Sequence, residues 1–204
     1  MKIIVFGASS KTSIGFYVGE YLKKLGHTVV YASRSGGLGE KCDINEYRQV
    51  YALLNEYKPD VIVNAAGVFT GLELIGQLKD FSIIKDSVFV KCYGSLLLAD
   101  ISVKLGVNTL IVIGGHTEPC DSGFFIYNMV NNAMLSLVKS IVKQTRALEA
   151  YYLEIPAIKN SSMVKEAMER ESAKSLDAHD AVDVCKIVED VINGKYESGS
   201  RIRI

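Results

Sequence analysis

The chain has 204 residues, 49% hydrophobic and 23% charged, a composition suited to a globular domain with a buried core. Lys plus Arg and Asp plus Glu both number 23, so the formal net charge is zero and neither a nucleic acid nor a membrane is expected as a partner. Cysteines at 42, 92, 120 and 185 form no CxxC pair and the histidines stand apart, so no metal site is expected. The opening MKIIVFGASS is too short an apolar run for a secretory signal, and a cytoplasmic location is the expectation.

The elements follow in order. A strand at 3–6 (IIVF) leads through a glycine turn into a helix with an apolar stripe of Ile14, Val18, Tyr21, Leu22 and Leu25, closed by Gly26. A strand at 28–32, a short extra strand and a helix over 45–57 come next. Then follow a strand at 60–66 (DVIVNAA), a long helix over 82–105 and a strand at 109–114 (TLIVIG). A helix over 122–147 carries the stripe Val130, Ala133, Met134, Leu137, Val138, Ile141 and Val142. A strand at 151–155, a short charged helix within 157–177, a further helix and a strand at 201–204 complete the chain.

Several strands are continuously apolar, as strands buried on both faces of a parallel sheet are. Their alternation with helices predicts one α/β domain over 1–204, a doubly wound parallel sheet with helices on both faces. Ligands of such sheets lie at the carboxyl ends of the strands, near the switch in strand order.

The turn GASSKTSIG (7–15) stands at such an end. With Lys11 as the lysine of a Walker loop, Val5 and Ser10 occupy the two required glycine positions, so that reading fails. A dinucleotide turn fits better. Gly7 ends the strand and Gly15 opens the helix, while Ser9, Ser10, Thr12 and Ser13 offer hydroxyls beside free N–H groups and the helix dipole. A plain strand-to-helix turn is the alternative. After the second strand, Ser33 and Arg34 stand where an NAD-selective fold carries an acid. An arginine there pairs with a 2′-phosphate and favours NADP over NAD; the alternative is a solvated surface arginine.

These motifs, with CDI (42–44), NAAG (64–67), KCYG (91–94), YNMVNNAML (127–135) and EIPA (154–157) in that order, resemble a short-chain dehydrogenase/reductase over nearly the whole chain. The loop is similar to that of the enoyl-carrier-protein reductases, in which a serine, here Ser13, replaces the central glycine and Ile14 follows. The length resembles a compact subgroup of about 200 residues whose members are described only as oxidoreductases. The resemblance implies that Gly7, Ser9, Ser10, Ser13, Ile14 and Gly15 border the cofactor pyrophosphate. It places Asp43 and Ile44 at the adenine, although Asp43 also reads as a helix cap. It places Asn64, Ala65, Ala66 and Gly67 at the adenosine ribose, and Pro156 at the family's Pro-Gly position.

The family's active site is Asn, Ser, Tyr and Lys. Tyr127 fits the tyrosine, but Asn131 stands at the lysine position, Gly114 and Gly115 at the serine position, and Lys91 at the asparagine position. A swap of Asn and Lys returns an ammonium to the same pocket, so Lys91 is expected to supply charge, to the cofactor as well, and Tyr127 the proton. A solvated helix lysine is the alternative. His116 and Thr117, beside the vacant serine position, are further catalytic candidates or simply a polar loop. The expectation is an NADP-preferring oxidoreductase acting on a small carbonyl or alcohol. A noncatalytic NADP-binding sensor or subunit is the second reading, and an isomerase or dehydratase on the same fold a third. By analogy the helices at 82–105 and 122–147 form a homodimer or homotetramer face.

Overall fold

The computed structural model describes residues 1–68, 81–115, 117, 125–171 and 178–204. In chain order the elements are β1 (Lys2–Phe6), α1 (Ile14–Lys24), β2 (Thr28–Ser33), β3 (Glu40–Lys41), α2 (Tyr47–Tyr57), β4 (Val61–Asn64) and α3 (Phe81–Val88). A π-helical turn (Phe89–Tyr93) joins α3 to α4 (Gly94–Leu105). Next come β5 (Thr109–Gly114), α5 (Phe125–Gln144), β6 (Glu149–Glu154), β7 (Ala157–Ile158), α6 (Ser162–Glu171), β8 (Ala178–His179), α7 (Ala181–Ile192) and β9 (Arg201–Arg203).

The main sheet runs β3-β2-β1-β4-β5-β6-β9 with every pairing parallel. This is the doubly wound, Rossmann-type α/β fold that the sequence predicts. Strand order reverses at β1, which pairs with β2 on one side and β4 on the other. A crevice opens at such a switch. Among the described residues no helix is long and apolar enough to cross a membrane.

Two cores sandwich the sheet. On one face Ile4, Phe6, Ile62, Leu110 and Val112 pack with Leu98, Ile101, Met134 and Val138 of α4 and α5. On the other, Ile3, Val5, Val63 and Ile111 pack with Val18 and Leu22 of α1 and Val184 and Val188 of α7. Each such fully buried aliphatic side chain contributes about 1.5–3 kcal/mol. Leu25 and Ala133 fall outside their predicted stripes and are exposed.

Among the departures from the sequence expectation, three have a clear local reason. The strand predicted to run to 66 stops at Asn64, whose Oδ1 accepts from the Ala66 N–H at 3.1 Å and turns the chain. The helix predicted from 45 begins at Tyr47, because Asp43 Oδ1 takes the Asn45 N–H at 3.0 Å in an Asx turn. The helix over 82–105 is interrupted by the π-helical turn at Phe89–Tyr93. Residues 122–124 of the predicted helix over 122–147 lie outside the described residues.

Candidate functional site

A cleft of about 640 Å³ opens at the carboxyl ends of β1, β2 and β4. Its floor is the turn after β1. Gly7 there has φ +86°, and a Cβ on it would lie 2.5 Å from the Ala65 backbone. A Cβ on Gly15 would lie 3.0 Å from the Gly7 carbonyl carbon, so α1 approaches the turn closely only with glycine. Ser13 caps α1: its Oγ accepts from the Phe16 N–H at 3.3 Å and donates to Ser10 O at 2.8 Å.

Gly7, Ser9, Ser13, Ile14, Ser33, Arg34, Asp43, Ile44, Ala65, Ala66 and Gly67 all line this cleft. Five predicted residues stand elsewhere, Lys91 behind Gly67 among them. Gly15 supports the turn from behind. Ser10 bonds Thr12 and Ser162 through its hydroxyl, both at 3.2 Å. Asn64 is buried, and its Nδ2 donates to Ser95 Oγ at 2.9 Å. Pro156 follows Ile155, whose N–H bonds Gly114 O at 2.9 Å, and does not line the cleft.

The opposite wall comes from the segment 157–177, in which the sequence analysis named no site residue. Ser161, Ser162, Met163 and Glu166 line the cleft from the start of α6. Ser161 Oγ caps that helix on the Val164 N–H at 3.3 Å, and the Ser162 N–H bonds Thr12 O at 3.1 Å. A serine pair ahead of a helical stretch was the available signal. Its placement over the glycine turn, about 150 residues away in sequence, was not.

Behind Gly67 stand Lys91, Asn131 and Tyr127. Lys91 is 3% exposed and Asn131 fully buried. The π-helical turn positions Lys91. It leaves Phe89 and Tyr93 on the surface while Lys91 points inward, and Ser95 Oγ, itself held by Asn64, takes up the Lys91 carbonyl. Lys91 Nζ donates to Asn131 Oδ1 at 3.3 Å and lies 4.9 Å from the centre of the Tyr127 ring. Asn131 also hydrogen-bonds Tyr127, one helical turn away. A Cβ on Gly67 would lie 3.1 Å from Lys91 Cε, so only glycine separates this stem from the cleft.

Burial strips water from the Lys91 ammonium and pulls its pKa down to about 8. Burial pushes the Tyr127 phenol up, and the bond from Asn131 draws it back down. The amide has one orientation that serves both neighbours: Oδ1 accepts from Lys91, and Nδ2 donates to the phenol oxygen.

Of the remaining candidates, Thr117 Oγ1 donates to the buried Glu154 carboxylate at 3.0 Å. The same carboxylate accepts from Arg201 Nε at 2.6 Å and pairs with Arg203 Nε at 3.2 Å. His116 lies outside the described residues.

The sheet order, the crevice at its switch and the glycine turn inside it define a Rossmann-type fold. No family model matches the chain, and no curated protein matches it. Solved structures do, over the full chain. A small-chain dehydrogenase in complex with NADPH superposes with TM-score 0.82 at 18% identity, covering 100% of this chain and 96% of its own. A short-chain dehydrogenase/reductase from Serratia marcescens gives 0.79 at 17%, covering 100% and 95%. Ribose-5-phosphate isomerase from Brucella melitensis gives 0.83 at 16%, covering 100% and 90%. At these identities the likeness is one of fold.

Proposed function

We propose that the protein is an NADP-preferring oxidoreductase of the short-chain type, acting on a small carbonyl or alcohol. The observation that carries this reading is the Lys91–Asn131–Tyr127 cluster against the cleft wall. The NADPH-bound structural neighbour supports a nicotinamide cofactor.

The cleft residues fit a dinucleotide. Gly7 and Gly15 leave room for a pyrophosphate beside the N-terminus of α1. Ser33 Oγ is buried on the cleft wall without a hydrogen-bond partner, a place for a ribose hydroxyl or its phosphate. Arg34 is exposed at the rim with no paired carboxylate among the described residues, which favours a 2′-phosphate.

When bound, the nicotinamide supplies or accepts the hydride. Tyr127 gives the balancing proton to the carbonyl oxygen in reduction and takes it back in oxidation. The Asn131 amide, fixed by Lys91, donates to the phenol oxygen and stabilises its ionised form. The Lys91 ammonium adds positive charge in a site shielded from water, where it acts over several ångströms. NADPH oxidation across a panel of small aldehydes and ketones tests this. Turnover that Tyr127→Phe abolishes is expected, and turnover indifferent to that change would refute the role.

Two observations favour a noncatalytic NADP-binding protein: burial holds the phenol high, and neither Gly114 nor Gly115 carries a hydroxyl. Tight NADPH binding without turnover of any carbonyl would select that reading. For assembly, we propose a homodimer or homotetramer through the outer faces of the π-helical turn, α4 and α5. Phe89, Tyr93, Leu96 and Met129 are each at least 40% exposed there.

A further inference from the structure

Gly114 and Gly115 lack side chains, yet the space above them is filled. Tyr152 pairs with Val112 across β5 and β6, and its ring runs along the sheet face toward the strand end. A Cβ on Gly114 would lie 2.2 Å from Tyr152 Oη and 2.8 Å from two ring carbons. Tyr127 does the same at the next residue: a Cβ on Gly115 would lie 2.3 Å from Tyr127 Cε1 and 2.6 Å from its oxygen. Tyr152 is fully buried, and its hydroxyl donates to Gly115 O at 2.9 Å. Two phenols therefore grip one glycine pair, Tyr152 by a hydrogen bond and Tyr127 by ring contact.

A Gly-Gly segment has no side chains to hold its backbone and is the most freely rotating dipeptide. Here it forms the wall on which the Tyr127 ring rests, so its orientation sets where the Tyr127 oxygen points. We propose that Tyr152 is a positioning residue for the proton transfer: its hydroxyl fixes the Gly115 carbonyl, and through that carbonyl the Tyr127 ring. The proposal rests on the reading of Tyr127 as proton donor. It also gives the glycines at 114 and 115 a purpose, since a side chain at either position would displace one of the two phenols.

Tyr152→Phe keeps the ring and removes only the bond. With Tyr127 placement loosened, kcat for carbonyl reduction is expected to fall about ten- to hundredfold, with NADPH affinity unchanged. Tyr151→Phe is the control. That side chain packs in the other core and bonds Glu149 Oε2 at 3.2 Å, and kcat is expected to stay as in the wild type.

A second readout needs no turnover. With tyrosine 13C-labelled at Cζ, the Tyr127 resonance is assigned from Tyr127→Phe. Tyr152→Phe is expected to shift or broaden it and to move its titration midpoint, and Gly114→Ala, which evicts the Tyr152 hydroxyl sterically, is expected to do the same. A Tyr127 resonance and titration identical to wild type in Tyr152→Phe would overturn the proposal. So would an unchanged kcat in an active enzyme. If the wild type turns over no carbonyl, the reading of Tyr127 as proton donor fails separately, and the resonance still decides whether Tyr152 holds Tyr127.

Discussion

Lys91 Nζ lies 3.3 Å from Asn131 Oδ1, joining the π-helical turn to α5 inside the protein. Relative to the short-chain pattern that the sequence resembles, a lysine and an asparagine stand in exchanged places, and their side chains meet. The partner of this ammonium is a neutral amide, so its burial has a cost that a salt bridge would have offset.

That cost is measurable as stability. The Lys91 pKa falls from 10.5 to about 8 in the folded protein. Below pH 8 both folded and unfolded chains carry the proton, and the full penalty applies. Between about pH 8 and 10.5 the unfolded chain holds more protons, so this group's penalty is relieved as pH rises. Lys91→Met is expected to stabilise the protein at pH 7 by about 1–2 kcal/mol, after allowing for the stranded Asn131 oxygen. The gain is expected to shrink by pH 10. Urea melts of both proteins at the two pH values check this, and a destabilised variant at pH 7 would refute it.

The proposed preference for NADP rests on Arg34 at the rim of the cleft. Arg34→Glu replaces a 2′-phosphate partner with a ribose 2′-hydroxyl acceptor. NADPH affinity is expected to fall about ten- to hundredfold while NADH affinity holds or rises. Fluorescence titration with both nucleotides reads the outcome.

Much of this was legible in the sequence. The continuous apolar strands announced a parallel sheet, and the spacing from Gly7 to Gly15 announced the turn that lines the cleft. The exchange of Lys91 and Asn131 was visible only through the resemblance to the short-chain dehydrogenase/reductase pattern. The π-helical turn that aims Lys91 inward was not, because it depends on Ser95 and Asn64 holding a backbone carbonyl from another element. Nor was Tyr152, whose ring reaches Gly115 from the next strand. Side-chain contacts between strands leave no periodic trace in either one.

Glu154 ends β6 with its side chain 1% exposed, bonded to Arg201, Arg203 and Thr117. Glu154→Gln removes the charge and leaves two arginines facing a neutral amide. Because both arginines are partly solvated, the expected loss is about 2 kcal/mol rather than the larger cost of a fully buried pair. A urea melt measures it, and a loss under about 0.5 kcal/mol, as at an ordinary surface site, would show that the pair contributes little.

Gly7→Ala forces a Cβ to within 2.5 Å of the Ala65 backbone at φ +86°. A destabilisation of about 2–4 kcal/mol is expected, from strain and crowding together. NADPH binding is expected to be lost in the fraction that remains folded, as read by calorimetry.

The most direct measurement is single-turnover NADPH oxidation by the wild type, Tyr127→Phe, Lys91→Met and the double variant, on whichever small carbonyl the wild type reduces. If Lys91 acts through Asn131 on Tyr127, Tyr127→Phe and Lys91→Met each lower the rate by about a hundredfold or more, and the double variant is no slower than the worse single one. Rates in Lys91→Met equal to wild type, or losses that multiply in the double variant, would contradict it.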